Sequence, residues 1–307
     1  FLVLALLLNC ELFPYLWVDT KAHLLPSLRD SFGLENSPPR FLPLTHRRSM
    51  VFPLGDDNSD REIFPWLTIS LIAINAFVFL VLQGIGQNED FTYAWSTVPA
   101  EIVSGEDKVT EDEERQVSTP EGTQTYIMPG LRPTPVSVYL TLLTSMFMHG
   151  SVMHILGNMW FLWIFGDNIE NDMGRVRYIV FYLLTGLLAS LTHVFLNTSG
   201  DDAMIPCLGA SGAISGVLGG YLLLHPKRQV TVLLFRFITR VPGWVAVGIW
   251  FGFQIISSLG LLGGTGGVAY GAHIGGFIAG LALAKPFMLG REVRTKNRHP
   301  ERHIFDA

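Results

Sequence analysis

Charged residues are scarce in this chain of 307 residues: Asp, Glu, Lys and Arg make up 15% of it, against 49% hydrophobic residues. A soluble globular domain carries about 25% charged residues, so the scarcity favours lipid as the main solvent. With a net charge of −5 the chain also lacks the basic excess of a nucleic-acid-binding surface, and we expect no nucleic-acid partner. Its two cysteines, Cys10 and Cys207, cannot form a disulfide framework. The composition predicts a polytopic membrane protein.

Methionine is absent from the first 49 residues, and the first one, Met50, follows Arg47 and Arg48. The opening apolar run, 1–8, is too short to span a bilayer. It has no basic leader, and no small-residue cleavage site follows it, which argues against a signal peptide. We therefore predict that 1–49 is a non-native or upstream segment and that the native chain starts at Met50.

Apolar runs of spanning length recur after residue 63. They cover 65–83, 149–166, 176–196, 209–225, 243–262 and 267–288. The sequence therefore predicts an all-α fold, a bundle of six transmembrane helices over 64–289. A short cytoplasmic segment, 50–63, precedes this domain, and a basic cytoplasmic tail, 290–307, follows it.

The distribution of basic residues predicts the orientation. Lys and Arg cluster after the second and fourth helices and in the tail, whereas loops 197–208 and 262–267 contain neither. By the positive-inside rule both termini are cytoplasmic, and the long first loop, 84–137, faces the other side. Its acidic run, 111–114, is expected to be solvated.

Strongly polar residues inside spans are costly and mark function by default. His154 and Asn158 lie four residues apart, so they share one helix face and can donate hydrogen bonds to a common point. Hydrogen bonding between helices is an alternative role for this pair. His149 lies nearer the membrane surface and is expected to be an interfacial residue.

The segment 209–212 reads Gly-Ala-Ser-Gly at the start of the fourth span. A serine at a helix N-terminus lies among unpaired backbone N–H groups, which can stabilise a developing oxyanion. Ser211 is therefore a candidate nucleophile. The alternative is a small packing residue.

His273 lies in the sixth span. Small residues recur every fourth position on two helices, at Gly212, Gly216 and Gly220 and at Ala272, Gly276, Gly280 and Ala284. Such seams let two helix backbones approach closely. If the seams face each other, Ser211 and His273 come within hydrogen-bond reach, and a neutral imidazole is the usual base for a nucleophilic serine.

Two other classes of protein are less favoured. His149, His154 and His273 could ligate zinc, but the chain has no His-Glu-x-x-His motif and no acidic residue beside them in a span, so we expect no metal. A transporter would show internal repeats, and none is evident.

Together these residues resemble the rhomboid family of intramembrane serine proteases, in its six-helix bacterial form. The resemblance covers roughly residues 50–290. It rests on Met-Val-Phe-Pro-Leu at 50–54 with Asp-Asp-Asn at 56–58, on His154-x-x-x-Asn158, on 209–212, and on Ala-His-Ile-Gly-Gly at 272–276.

The resemblance implies a role for each matching residue. Ser211 would be the nucleophile and His273 the general base, with an oxyanion hole formed by Asn158, His154 and the backbone N–H of Ser211. No cofactor is implied. Structural support is implied for Gly209, Gly212, Gly276, Gly280 and Glu170, the last tying the end of the second helix to its loop.

It also implies a function: a serine endopeptidase in the bacterial inner membrane that cleaves single-span membrane proteins in or near their transmembrane segments. A catalytically inactive relative that binds membrane clients is the alternative, and the oligomeric state stays open. The chain departs from the family in two places. Ser215 replaces a tyrosine that packs on the histidine ring, a role that Tyr270 could take, and 139–141 lacks the usual Trp-Arg pair.

Overall fold

Long apolar helices and a few short strands make up the computed structural model, which describes residues 51–119, 122–234, 236–258 and 269–293. The helices are α1 (Trp66–Phe77), α2 (Glu89–Ala94), α3 (Pro99–Ser104), α4 (Thr141–Thr144), α5 (Val152–Met173), α6 (Arg175–Leu196), α7 (Ser211–Leu224), α8 (Gly243–Ser258) and α9 (Tyr270–Phe287). The strands are β1 (Val51–Asp56), β2 (Glu113–Thr119), β3 (Gly122–Met128), β4 (Gln229–Leu234) and β5 (Phe237–Pro242). The predicted upstream segment, 1–49, lies outside the described residues, as does the tail beyond 293.

Six of these helices lie on the six apolar runs of the sequence: α1, α5, α6, α7, α8 and α9. Among the described residues, only α6 is by itself long and apolar enough to cross a membrane. A second span results if α5 and the turns at Val138–Phe147, which meet at 79°, count as one bent helix. The helical positions therefore agree with the sequence, while the count of six membrane spans stays a prediction.

The glycine seams of α7 and α9 face each other. A methyl group built on Gly276 would lie 2.1 Å from the carbonyl oxygen of Gly212, and one on Gly280 would lie 2.0 Å from that of Gly216. No side chain fits at these distances, so the two backbones are in contact because both helices carry glycine there. This contact fixes the position of the start of α9 relative to the start of α7.

Strands occur in two places, which corrects the expectation of an all-α fold. Strands β1, β4 and β5 form an antiparallel sheet in that order, with Phe52 opposite Leu233. Strands β2 and β3 form an antiparallel hairpin. The segment 84–137 is thus a folded region with α2, α3 and this hairpin, rather than only a solvated loop. The described chain is nevertheless mostly helical.

The end of α5 carries a buried polar cluster that holds the N-terminal segment. Both carboxylate oxygens of Glu170 accept hydrogen bonds from the start of α1: from the N–H of Leu67 at 3.0 Å, and from the N–H and hydroxyl of Thr68 at 2.8 Å. A carboxylate at a helix N-terminus is favoured by the helix dipole and by the unpaired N–H groups. Glu170 therefore ties α5 to α1, and the expectation that its partner is the loop after its own helix is corrected.

Candidate active site

The first residue of α7 is Ser211, and the backbone turns sharply just before it. Gly209 has φ +123°, a conformation that glycine adopts without steric cost, and its N–H donates to the carbonyl oxygen of Ser145 at 2.8 Å. This turn starts the helix at the serine. As a result Ser211 lies among the unpaired N–H groups of the first helical turn.

The hydroxyl of Ser211 contacts the imidazole of His273 on α9. Oγ of Ser211 lies 2.7 Å from Nε2 of His273, a normal hydrogen-bond distance. The two residues are 62 positions apart in sequence, and the α7–α9 seam brings them together. A serine hydroxyl hydrogen-bonded to an imidazole is the arrangement of an activated nucleophile and its base.

Ser215, one turn after Ser211, uses its hydroxyl for a backbone hydrogen bond rather than for a contact with the ring of His273. Its Oγ donates to the carbonyl oxygen of Ser211 at 2.6 Å and stays within its own helix. Two aromatic rings instead lie around His273. The ring centre of Tyr270 is 6.4 Å away, edge to face at 87°, and that of Trp250 is 6.3 Å away at 37°.

The other ring nitrogen of His273 contacts a residue that the sequence analysis missed. Nδ1 of His273 lies 2.7 Å from Oε1 of Gln254 on α8, and Gln254 is buried, with 8% of its surface exposed. A signal for it was present, because Gln254 is the one amide side chain in the apolar run 243–262. By the argument applied above to His154 and His273, such a residue marks function.

His154 and Ser211 both border one small volume next to Gly209. A methyl group built on Gly209 would lie 2.8 Å from Cε1 and 2.9 Å from Nε2 of His154, and 3.7 Å from Oγ of Ser211. Nδ1 of His154 accepts a hydrogen bond from the N–H of Gly150 at 3.4 Å. A neutral imidazole that accepts at Nδ1 carries its proton on Nε2, so the nitrogen facing this volume is a donor.

Asn158 lies one turn further along α5, on the same face as His154, and is buried. Its Nδ2 donates one hydrogen bond, to the carbonyl oxygen of His154 at 3.1 Å. An amide nitrogen carries two hydrogens, so the second remains for another acceptor. The prediction that His154 and Asn158 share one face is met by this geometry.

His149 lies inside the helical bundle rather than on its surface, and its position relative to the membrane surface stays a prediction. Its side chain is fully buried, and its ring packs against that of His154 with 5.1 Å between centres. Gln83 holds its backbone, accepting from the N–H at 3.0 Å and donating to the carbonyl oxygen at 2.9 Å. Within the described ranges, no three His, Cys, Asp or Glu side chains are grouped so that they could hold a metal ion.

The loop that leads to Ser211 is anchored to the turn between α2 and α3. Cys207 exchanges two backbone hydrogen bonds with Thr97, and the hydroxyl of Thr97 lies 2.9 Å from that of Ser145. A small cleft lies beside this loop, lined by Ser145, Cys207, Gly209 and Ser211 among others. Burial raises the pKa of the Cys207 thiol to about 12, so this cysteine is not a thiolate nucleophile at neutral pH.

Comparison with known proteins bears on the same region. Residues 137–289 match a family model described as Rhomboid domain. The chain is 31% identical to Rhomboid protease GlpG of Salmonella newport over 160 residues, which are 50% of each protein. It is 28% identical to the mitochondrial Presenilin-associated rhomboid-like protein of Homo sapiens over 159 residues, 52% of this chain and 40% of that protein. The chain thus spans about half or less of the length of these relatives.

Proposed function

Because the chain belongs to the rhomboid family, we propose that it is an intramembrane serine endopeptidase that hydrolyses peptide bonds in or near the transmembrane segments of membrane proteins. The observation that carries the proposal is the distance of 2.7 Å between Oγ of Ser211 and Nε2 of His273. Family membership indicates a membrane protein, and the Ser211–His273 pair would supply the nucleophile and the base for peptide hydrolysis.

The proposed reaction follows from the two side chains. As Oγ of Ser211 attacks the carbonyl carbon of the substrate, Nε2 of His273 takes the hydroxyl proton. The tetrahedral intermediate then collapses, the C–N bond breaks, and the imidazolium gives that proton to the leaving amine. Water, deprotonated by the same nitrogen, attacks the acyl-enzyme ester, which releases the new carboxyl end and restores the serine hydroxyl.

We propose that the negative oxygen of the intermediate is stabilised in the volume beside Gly209. The donors there would be Nε2–H of His154, the second amide hydrogen of Asn158 and the backbone N–H of Ser211. A hydrogen-bond donor that is already in position before the reaction lowers the free energy of the transition state of acyl transfer by about 3–4 kcal/mol. The hydrogen bond from Gly150 to His154 supports this role, because it leaves the proton of His154 on the nitrogen that faces the volume.

The proposed substrates are single-span membrane proteins that reach the site from the bilayer. An intact helix keeps its peptide bonds inside the backbone hydrogen-bond ladder, so the segment to be cut must first unwind. Glycine or proline near the bond weakens the helix and should favour cleavage, by about 1 to 3 kcal/mol per residue.

The inactive binding protein of the same family is the second candidate. It would hold membrane clients without cutting them, and it needs neither a hydroxyl nor an imidazole at this place. Both groups are present here at hydrogen-bond distance, which favours the protease.

For the location, we propose an integral membrane protein with both termini on the same, basic-rich side, because the Lys and Arg residues of the loops cluster there. The relatives include a bacterial and a mitochondrial protein. The bacterial inner membrane is therefore one of two membranes to test. The orientation can be tested separately, by the accessibility of single cysteines placed in loops 84–137 and 197–208.

The decisive experiment is cleavage of a single-span reporter by the full chain in liposomes. We compare the wild type with Ser211→Ala and His273→Ala, and with Ser215→Ala as a matched control on the same helix. The proposal expects cleavage by the wild type and the control, and a loss of about 10⁴-fold or more in both site variants. If Ser211→Ala and His273→Ala cut as fast as the wild type, the serine mechanism is wrong.

A fluorophosphonate probe, which reacts with activated serines, separates the remaining outcomes. Labelling at Ser211 without reporter cleavage means an active protease that needs another substrate sequence. If a folded wild type is not labelled by the probe and does not cleave the reporter, the result supports the inactive binding protein.

A further inference from the structure

Gln254 stands out among the buried polar side chains of the described bundle, because it joins the proposed catalytic pair from a third helix. It lies on α8, whereas His273 is on α9 and Ser211 is on α7. Its Oε1 is 2.7 Å from Nδ1 of His273, while Nε2 of the same ring is 2.7 Å from Oγ of Ser211. The three side chains therefore form one continuous chain of hydrogen bonds.

The direction of these hydrogen bonds decides whether His273 can act as a base. A neutral imidazole has one N–H and one lone pair, on different nitrogens. To take the proton of Ser211, Nε2 must carry the lone pair, so the hydrogen must be on Nδ1. That hydrogen needs an acceptor, and the amide oxygen of Gln254 is an acceptor only.

We propose that Gln254 is a positioning residue that holds His273 in its Nδ1–H tautomer and fixes the plane of the ring. This inference rests on the proposed function above. Ser215, one turn after Ser211, does not supply this support, because its hydroxyl is bonded within its own helix. Trp250 and Tyr270 supply ring packing around His273, and Gln254 supplies the directional contact.

An amide suits this environment better than the carboxylate of a serine protease triad. An ionised Asp or Glu at the centre of a membrane span costs about 2.5–3.5 kcal/mol on insertion scales. A glutamine fixes the tautomer without adding a charge. The cost is that an uncharged partner stabilises the imidazolium less than a carboxylate does.

The test compares two substitutions at this position in the full chain, in liposomes with the single-span reporter. Gln254→Leu keeps most of the volume but removes the acceptor, and Gln254→Glu keeps an acceptor and adds a charge. Ile249→Leu, at an exposed position of the same helix, is the matched control. For each we measure kcat, KM, the pH dependence of kcat and the thermal unfolding midpoint.

We expect Gln254→Leu to lower kcat by about 10²-fold or more with little change in KM, because the ring spends most of its time in the wrong tautomer or orientation. Gln254→Glu should recover much of that loss. A carboxylate stabilises the imidazolium, so the acid limb of its pH profile should move to higher pH by about one unit or more. The other titratable side chains around His273 are Tyr270 of α9, His154 of α5 and His193 of α6, and they are unchanged in every variant.

The opposite results overturn the inference. It is wrong if Gln254→Leu keeps the wild-type kcat. It is also wrong if Leu and Glu lower kcat equally and both leave the pH profile of the wild type, since that is the behaviour of a residue that only packs. Should Gln254→Leu fail to fold, the pH profile of Gln254→Glu decides alone.

A second readout keeps this inference separate from the proposed function. The ¹⁵N chemical shifts of histidine report directly which ring nitrogen carries the hydrogen, with no need for activity. We expect His273 of the wild type to carry it on Nδ1, and a hydrogen on Nε2 would refute the inference. If the wild type shows the Nδ1–H form but no cleavage that depends on Ser211, the proposed function fails and the positioning by Gln254 stands.

Discussion

At the scale of single residues, the backbone of Gly209 matters because His154 and Ser211, two residues of the proposed site, border the same point beside it. A methyl group there would lie 2.8 Å from His154, closer than carbon atoms approach in proteins, and φ +123° is strained for any side chain. We predict that Gly209→Ala lowers kcat/KM by about 10²-fold or more, because the methyl group fills the volume proposed for the oxyanion. The measurement is reporter cleavage in liposomes.

The control for this substitution is Gly248→Ala on α8, where no atom lies within 4 Å of the added methyl group. That variant should retain wild-type activity. A Gly209→Ala protein that cleaves at the wild-type rate would show that the oxyanion is bound somewhere else.

The residues of the candidate site differ in how far the sequence could predict them. Ser211 and His273 could be paired in advance, because each adjoins a small-residue seam whose four-residue spacing is visible in the sequence. Gln254 could not be paired with His273 in this way. Its partner is set by how α8 packs on α9, and no spacing within α8 records that packing.

At the scale of helices, the α7–α9 seam carries the site, and its glycines leave no space between the backbones. A methyl group on Gly280 would lie 2.0 Å from the carbonyl oxygen of Gly216. Neither backbone can move aside without displacing the ends of its helix. We therefore predict that Gly280→Ala destabilises the fold by about 1–3 kcal/mol or more and lowers activity with it, because Ser211 and His273 move apart.

The measurement is the thermal unfolding midpoint of the purified protein, together with reporter cleavage. Gly157→Ala on α5 is the matched control, because nothing lies within 4 Å of its added methyl group. Equal midpoints for the two variants would mean that the seam is loose enough to accept a side chain.

The strands show why part of the fold was not predictable. Strand β1 pairs with β4, with Val51 opposite Leu234, across more than half of the chain. Strand β4, with sequence Gln-Val-Thr-Val-Leu-Leu, begins shortly after the apolar helix α7 ends and shows only a short alternation. A run of this length is ambiguous between helix and strand. The six helical runs, by contrast, are long enough to stand out by hydrophobicity alone.

At the scale of the whole molecule, one carboxylic acid links three elements. Asp56, at the end of β1, accepts hydrogen bonds on Oδ2 from Asn168 of α5 at 2.7 Å and from the hydroxyl of Tyr221 of α7 at 3.0 Å. Its other oxygen is buried and has no hydrogen-bond partner among the described residues. Burial, and then the charge of Asp167, raises the pKa of Asp56 from 3.8 to about 7.

This raised pKa makes the stability of the fold depend on pH in a defined direction. Between about pH 4 and pH 7 the folded protein keeps the proton of Asp56, whereas the unfolded chain has lost it. Because the unfolded state binds fewer protons, the free energy of unfolding falls as the pH rises through this range. The stabilisation by protonated Asp56 is complete below about pH 4 and is lost as the pH rises through 7. Since one pKa unit is worth about 1.4 kcal/mol, the loss should amount to at least about 1 kcal/mol.

Asp56→Asn tests this argument, because asparagine keeps the acceptor and resembles the protonated acid. Relative to the wild type, the variant should gain stability steadily from about pH 4 to about pH 7 and be level outside that window. Asp57→Asn is the matched control. The hydrogen bond from Ser59 lowers the pKa of Asp57. The contribution of Asp57 to the free energy of unfolding therefore changes only in more acidic solution, and it is constant between about pH 4 and pH 7. Thermal unfolding midpoints over the pH series decide the matter: parallel curves for the wild type and Asp56→Asn would mean that Asp56 is already ionised in the fold, and that the junction of β1, α5 and α7 holds a charge rather than a neutral acid.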